Sequence, residues 1–138
     1  MPESFIQFSP QGLVPFPYGD KDCYLNPGTF NWSINSANFP MAYETKCTRF
    51  RFLVRGKWNP RMEHTITAFL LVNEEIVPGT EMHFENAGFI SVVTRHQTVY
   101  PNLKIYPTDT VGIYVKTHRR PTDVTSFYAS AILNFDNI

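Results

Sequence analysis

The chain has 138 residues and 15.9 kDa, one domain's worth of polypeptide, long enough to bury roughly two-thirds of its unfolded surface without a metal or disulfide framework. Apolar residues make up 43% and charged ones 17%, with 12 Phe, 7 Tyr and 2 Trp, which excludes an intrinsically disordered chain. Basic and acidic side chains balance at 12 each, so no global field points to nucleic acid.

Residues 1–45 are rich in Pro, Gly, Asn and Ser and read as an irregular part, with one short strand at Phe5 to Phe8 and another around Thr29 to Ile34. Residues 46–138 hold the main strands. There the apolar pattern alternates with period two, the mark of a strand buried on one face. Thr48 to Val54 sets Phe50, Phe52 and Val54 against Arg49 and Arg51. His64 to Val72 sets Ile66, Ala68, Leu70 and Val72 against Thr65 and Thr67, and Phe89 to Thr94 is β-branched and aromatic. Thr110 to Thr117 sets Val111, Ile113 and Val115 against Gly112, Tyr114 and Lys116. The last strand, Thr125 to Phe135, sets Phe127, Ala129, Ala131, Leu133 and Phe135 against Tyr128, Ser130, Ile132 and Asn134.

The connections read as turns: a hairpin loop at Gly56 to Arg61, a tight turn at Asn73-Glu74-Glu75, and further turns at Pro78-Gly79 and Pro107-Thr108-Asp109. His118 to Asp123 is another loop. Eleven prolines, from Pro2 to Pro121, cut the chain into short segments, and no helix-length window carries an apolar stripe. The pattern predicts a single all-β domain spanning residues 1–138, an antiparallel sandwich of immunoglobulin-like or jelly-roll type. The longest uncharged apolar run, Ala68 to Val72, is far short of the ~20 residues of a membrane helix, so no membrane insertion is expected. The start, Met1-Pro2-Glu3-Ser4-Phe5, lacks the basic stretch and apolar run of a signal peptide.

Charge is unevenly placed. Lys46, Arg49, Arg51, Arg55, Lys57 and Arg61 fall in one stretch without an acidic residue, while Glu74, Glu75, Glu81 and Glu85 follow. The planar fork of arginine suits carboxylate or sulfate groups, so this stretch is a candidate anion site, with Trp58 as a stacking surface beside it. The competing reading is a solvated strand face whose charges pair with those glutamates across the sheet. A second basic cluster, Lys116, His118, Arg119 and Arg120, lies at a strand end and loop. If the two clusters met at one end of the sandwich they would make a positive rim. The ligand they suggest is an acidic glycan or a receptor protein, and not nucleic acid, because the domain as a whole is neutral.

Cys23 and Cys47 are the two cysteines, too few for a zinc or iron–sulfur framework. They can form one disulfide in an oxidising setting or remain free thiols, and the sequence leaves both open. Asn31-Trp32-Ser33 satisfies the glycosylation sequon, which matters only in a secreted chain. His64, His83, His96 and His118 are scattered, without metal-ligand spacing, and neither a nucleophile elbow nor a phosphate loop is present. Asp109 and Asp123 flank one strand and serve as turn residues. No catalytic residue, metal or cofactor is expected.

From Thr48 onward the order of features resembles the globular heads of the complement-type and tumour-necrosis-factor-type jelly-roll family. The residues that carry it are Thr48-Arg49-Phe50-Arg51-Phe52, Phe69-Leu70-Leu71-Val72-Asn73-Glu74-Glu75, Leu103 through Val111 with its Pro107-Thr108-Asp109 turn, and Ser126-Phe127-Tyr128-Ala129. Residues 1–45 do not carry it. The resemblance implies a jelly-roll sandwich that assembles as a homotrimer, binds a receptor or glycan through loops, performs no chemistry, and resides extracellularly or on a virion surface, as fibre heads do. Two alternatives are a viral coat or virion-decoration protein acting in assembly, and a metal-dependent β-sandwich or cupin-like enzyme. The absence of Lys and Arg from the first 20 residues argues against genome packaging.

Overall fold

The computed structural model describes residues 3–8, 14–15, 19–25, 32–33, 39–57, 65–85, 92–119 and 127–137. All regular structure among them is β. The strands are β1 (Glu3–Phe8), β2 (Val14–Pro15), β3 (Gly19–Leu25), β4 (Trp32–Ser33), β5 (Phe39–Pro40), β6 (Thr45–Lys57) and β7 (Thr65–Val72). They continue as β8 (Glu75–Ile76), β9 (Met82–Glu85), β10 (Val92–Val99), β11 (Leu103–Ile105), β12 (Thr110–Arg119) and β13 (Phe127–Asn137).

Two antiparallel sheets form. The first runs β1-β13-β6-β10, with β2 extending the β1 edge and β11 the β10 edge. The second runs β4-β3-β12-β7-β8, with β5 beside β12 and β9 beside β7. The long strands alternate between sheets along the chain: β1, β6, β10 and β13 in the first, β3, β7 and β12 in the second. This is a jelly-roll sandwich.

The period-two pattern becomes the core. Phe50, Phe52, Val54, Ala129, Ala131, Leu133 and Phe135 face inward from the first sheet; Ile66, Ala68, Leu70, Val111, Ile113 and Val115 face them from the second. Val72 is only half-buried, because it sits where β7 ends. β6 also departs from simple alternation. Asn134 pairs with Arg49 while Phe135 pairs with Cys47, so Thr48 bulges out of the ladder, its hydroxyl donating to the Asn134 carbonyl at 3.3 Å. The extra residue switches parity, which lets Thr45 and Cys47 point inward as well as Phe50 and Phe52.

Several stretches differ from the sequence reading: β9 and β11 were not singled out, and His118 and Arg119, expected in a loop, complete β12. Gly19–Leu25, expected to be loop as part of the Pro-, Gly-, Asn- and Ser-rich first 45 residues, is a seven-residue strand, since β12 offers it a full ladder from Ile113 to Arg119. β10 runs on through Arg95, His96, Gln97 and Thr98 to Val99; these polar residues suit an edge strand but mask it in the sequence. Gly56 and Lys57, expected in a loop, complete β6.

The turns follow their residues. Asn73 and Glu74 both adopt positive φ, 52° and 67°, and close the two-residue hairpin from β7 to β8 with the twist such hairpins favour. Pro78-Gly79 forms a turn with Gly79 at φ 80° and the Thr80 N–H donating to the Val77 carbonyl. Thr108 takes the equivalent place after Pro107 at φ 73°, held there by its N–H donating to the Met41 carbonyl at 2.9 Å.

Candidate functional site

β6 presents the first half of the candidate basic site. With Phe50, Phe52 and Val54 turned inward, Arg49, Arg51 and Arg55 are forced onto the outer face of the first sheet, and all three are exposed. Residues two apart on a strand lie about 7 Å apart, so Arg49 and Arg51 are neighbours and Arg55 stands about 13 Å beyond Arg51. Their partners in register carry no negative charge. Arg49 faces Asn134; Arg51 faces Ile132 and Thr98; Leu53 faces Ser130 and His96; Arg55 faces Tyr128 and Thr94. Arg49 is positioned by its Nε–H, which donates to Asn134 Oδ1 at 3.1 Å.

The glutamates that were the alternative partners are elsewhere. Glu74 and Glu75 lie in the β7–β8 hairpin, Glu81 precedes β9 and Glu85 ends it, all in the second sheet. Cross-strand pairing between them and the β6 arginines is therefore ruled out, because successive strands of a jelly roll enter opposite sheets. The acidic positions in register on the first sheet, Glu3 and Asp136, lie in one row with Lys46 and Lys104 near the start of β6. Lys104 Nζ also meets Glu44 Oε1 at 2.6 Å, and that carboxylate holds the lysine above its ordinary pKa. Past that row, the register of β6 with β13 and β10 is free of acidic residues.

The other basic cluster is on the opposite sheet. Lys116 is exposed on the outer face of β12, and His118 and Arg119 end that strand opposite Thr65, Asp20 and Gly19. Lys57 ends β6 opposite Val92, and Phe127 opens β13 opposite Gly56. The terminal residues of β6 and β12 thus lie at the same end of the sandwich, where the chain crosses from β6 to β7. The two clusters share an end but not a face. Trp58, Arg61 and Arg120 lie outside the described residues, as do Asn31 and Asp123.

The opposite end is aromatic. Phe5, Phe39, Tyr43, Ile76, Tyr100 and Tyr106 are the exposed large hydrophobic residues among those described, and all lie in the half of the molecule that contains the start of β6. A hydrogen-bonded cluster ties this end together. Asp109 accepts from the Tyr106 N–H and from Asn73 Nδ2, both at 2.9 Å; Asn73 Oδ1 accepts from the Thr110 N–H at 3.0 Å. The Asn73 and Tyr106 donors hold the Asp109 carboxyl below its ordinary pKa. Asp109 is a turn-fixing residue, as its place in the sequence suggests.

Cys47 is a free, fully buried thiol, so no bridge to Cys23 in β3 of the other sheet is present. Burial pushes its pKa up to about 12, with a backbone hydrogen bond at Arg49 opposing the shift. Among the described residues no group of three or more His, Cys, Asp or Glu side chains is placed to hold a metal. His83 Nδ1 is instead hydrogen-bonded to Thr67 Oγ1 at 2.8 Å, on the outer face of the second sheet.

No family model matches the chain, and no curated protein does. Among solved structures the chain is similar to the CBM36-1 domain of a multidomain xylanase from the hindgut metagenome of Trinervitermes trinervoides. That likeness has 11% identity and a TM-score of 0.35, covering 99% of this chain and 98% of that one.

One group of surface residues was missed in the sequence. Tyr24, Tyr114 and Phe69 stand in one row across β3, β12 and β7. The Tyr24 and Tyr114 ring centroids are 5.5 Å apart, and those of Phe69 and Tyr114 are 5.6 Å apart. Strand parity already sets Tyr114 opposite the inward Ile113 and Val115; Tyr24 could not join it while its segment read as loop.

Proposed function

We propose that the chain is a non-enzymatic recognition module that binds an acidic glycan through the outer face of β6. One observation carries this reading: Arg49, Arg51 and Arg55 are exposed on one strand face with no acidic residue in register beside them. Each guanidinium can grip a carboxylate or sulfate with two parallel N–H donors, and the neighbouring Thr94, Thr98 and His96 supply partners for sugar hydroxyls.

The aromatic end supports the second part of the reading, self-association into a homotrimer. Exposed Tyr and Phe side chains are residue types in which interfaces are enriched.

The test is titration with sialyllactose and with a sulfated heparin-derived oligosaccharide, using lactose as the neutral control. Replacing Arg51 and Arg55 by Ala together should weaken binding by about a hundredfold, since each charged hydrogen-bonded contact is worth roughly 1.5 kcal/mol. Unchanged affinity in that double variant ends the anion-site reading. Light scattering on a size-exclusion column decides the assembly part, which requires three times the 15.9 kDa chain mass.

A further inference from the structure

The second sheet carries an open cleft of about 340 Å³, lined among the described residues by Tyr24, Leu71, Glu74, Ile76 and Tyr114. That volume is at the low end of the roughly 300–1,000 Å³ typical of small-molecule sites. The register explains why the cleft exists. Gly112, Leu71 and Ile76 form the row next to the Tyr24–Tyr114–Phe69 row, and Gly112 contributes no side chain there. A trough is left between the tyrosines and the β7–β8 hairpin.

Both walls are fixed before any ligand arrives. Tyr114 is held between Tyr24 and Phe69, the latter ring tilted only 19° from it. Opposite, Glu74 sits at φ 67° in a turn locked by Asn73, whose side chain bonds Asp109 and the Thr110 N–H. Such preorganisation removes part of the entropy cost of binding.

We propose that this cleft binds a neutral pyranose sugar. The lining is chemically two-sided: the Tyr24 ring, Leu71 and Ile76 match the apolar C–H face of a sugar ring, while the second acceptor oxygen of a carboxylate such as Glu74 and the Tyr24 hydroxyl match its rim of hydroxyl groups. Among the described residues no cationic side chain lines the cleft to draw sialylated or sulfated sugars. This site lies on the sheet opposite the arginine face and does not depend on it. The aliphatic Leu71 and Ile76 favour a sugar face over a quaternary ammonium, which aromatic walls alone would suit.

The experiment is amide-resolved NMR titration of the full chain with the methyl pyranosides of glucose, galactose, mannose, xylose and N-acetylglucosamine, and separately with tetramethylammonium. The proposal requires that at least one sugar shifts the amides of Leu71, Ile76 and Tyr114. Ile76→Arg, at a residue 48% exposed and so harmless to the core, should weaken that binding by about tenfold or more. Arg51→Ala combined with Arg55→Ala should leave it unchanged, which separates this site from the anion site. Two results overturn the proposal: no response to any of the sugars at tens of millimolar, or a response to tetramethylammonium in their place.

Discussion

The two sheets are joined in the core by an aromatic contact that can be measured. Phe52 on β6 and Phe84 on β9 are both fully buried, with ring centroids 5.9 Å apart and planes 47° from parallel. Truncating either ring to Ala removes a large buried side chain and leaves a cavity, at a cost of about 3–5 kcal/mol. A domain of this size has about 5–15 kcal/mol in total, so each single variant should still fold. With a urea slope of about 2 kcal/mol per molar, the unfolding midpoint should fall by about 1.5–2.5 M. The tilted ring pair adds about 1 kcal/mol beyond area burial, so Phe52→Ala with Phe84→Ala should cost about 1 kcal/mol less than the sum of the singles. Urea denaturation followed by tryptophan fluorescence reads all of these quantities. A single-variant cost below about 1.5 kcal/mol, or no coupling between the two, would refute the claim that these rings close the sandwich.

Two further predictions concern ionisation. With its thiol pushed up to about 12 by burial, Cys47 should resist thiol reagents at pH 8 in the native state and react once urea unfolds the chain. The sign for stability follows: the neutral thiol's contribution is whole below the ordinary value of 9.0 and is lost as pH climbs from there toward about 12, and Cys47→Ala should remove that alkaline slope. Asp109 works in the opposite direction. Its lowered pKa stabilises the fold above the ordinary value of 3.8 and that contribution fades as pH falls through the folded value, so wild type and Asp109→Ala should differ in thermal midpoint at neutral pH and converge in acid.

The alternating strands were legible because burial on one face imposes period two, and the inward sets of β6, β7, β12 and β13 follow the pattern, with Val72 half-buried at a strand end and the Phe127 side chain outside what is described. What escaped had a physical cause in each instance. β3 is rich in residues that disfavour strands and forms because β12 has a free edge to offer. β10 is polar along its length because it is an edge. The Thr48 bulge is invisible in the sequence, since only the partner strand reveals which residue is left unpaired. For the same reason the β6 arginines were recognisable as a cluster, but their freedom from carboxylate partners in register was not. The aromatic cleft needed three strands and a glycine brought into register, and one of those strands had not been recognised.

The jelly-roll connection itself gives this neutral chain its polarity. Lys46 to Arg61 and Glu74 to Glu85 are adjacent in sequence, and a simple hairpin would set them side by side to cancel. Because β6 and β7 enter different sheets, the arginines face outward on one side and the glutamates belong to the other. The sheets are about 10 Å apart, and their outward side chains farther still, beyond the screening length of about 8 Å at physiological salt. The β6 arginines are therefore not paired in register with the Glu74 to Glu85 carboxylates, and a net charge of zero does not argue against anion binding there. By the same connection the cleft beside Glu74 lies on the other sheet from the arginines, so the two proposed sites can be tested separately.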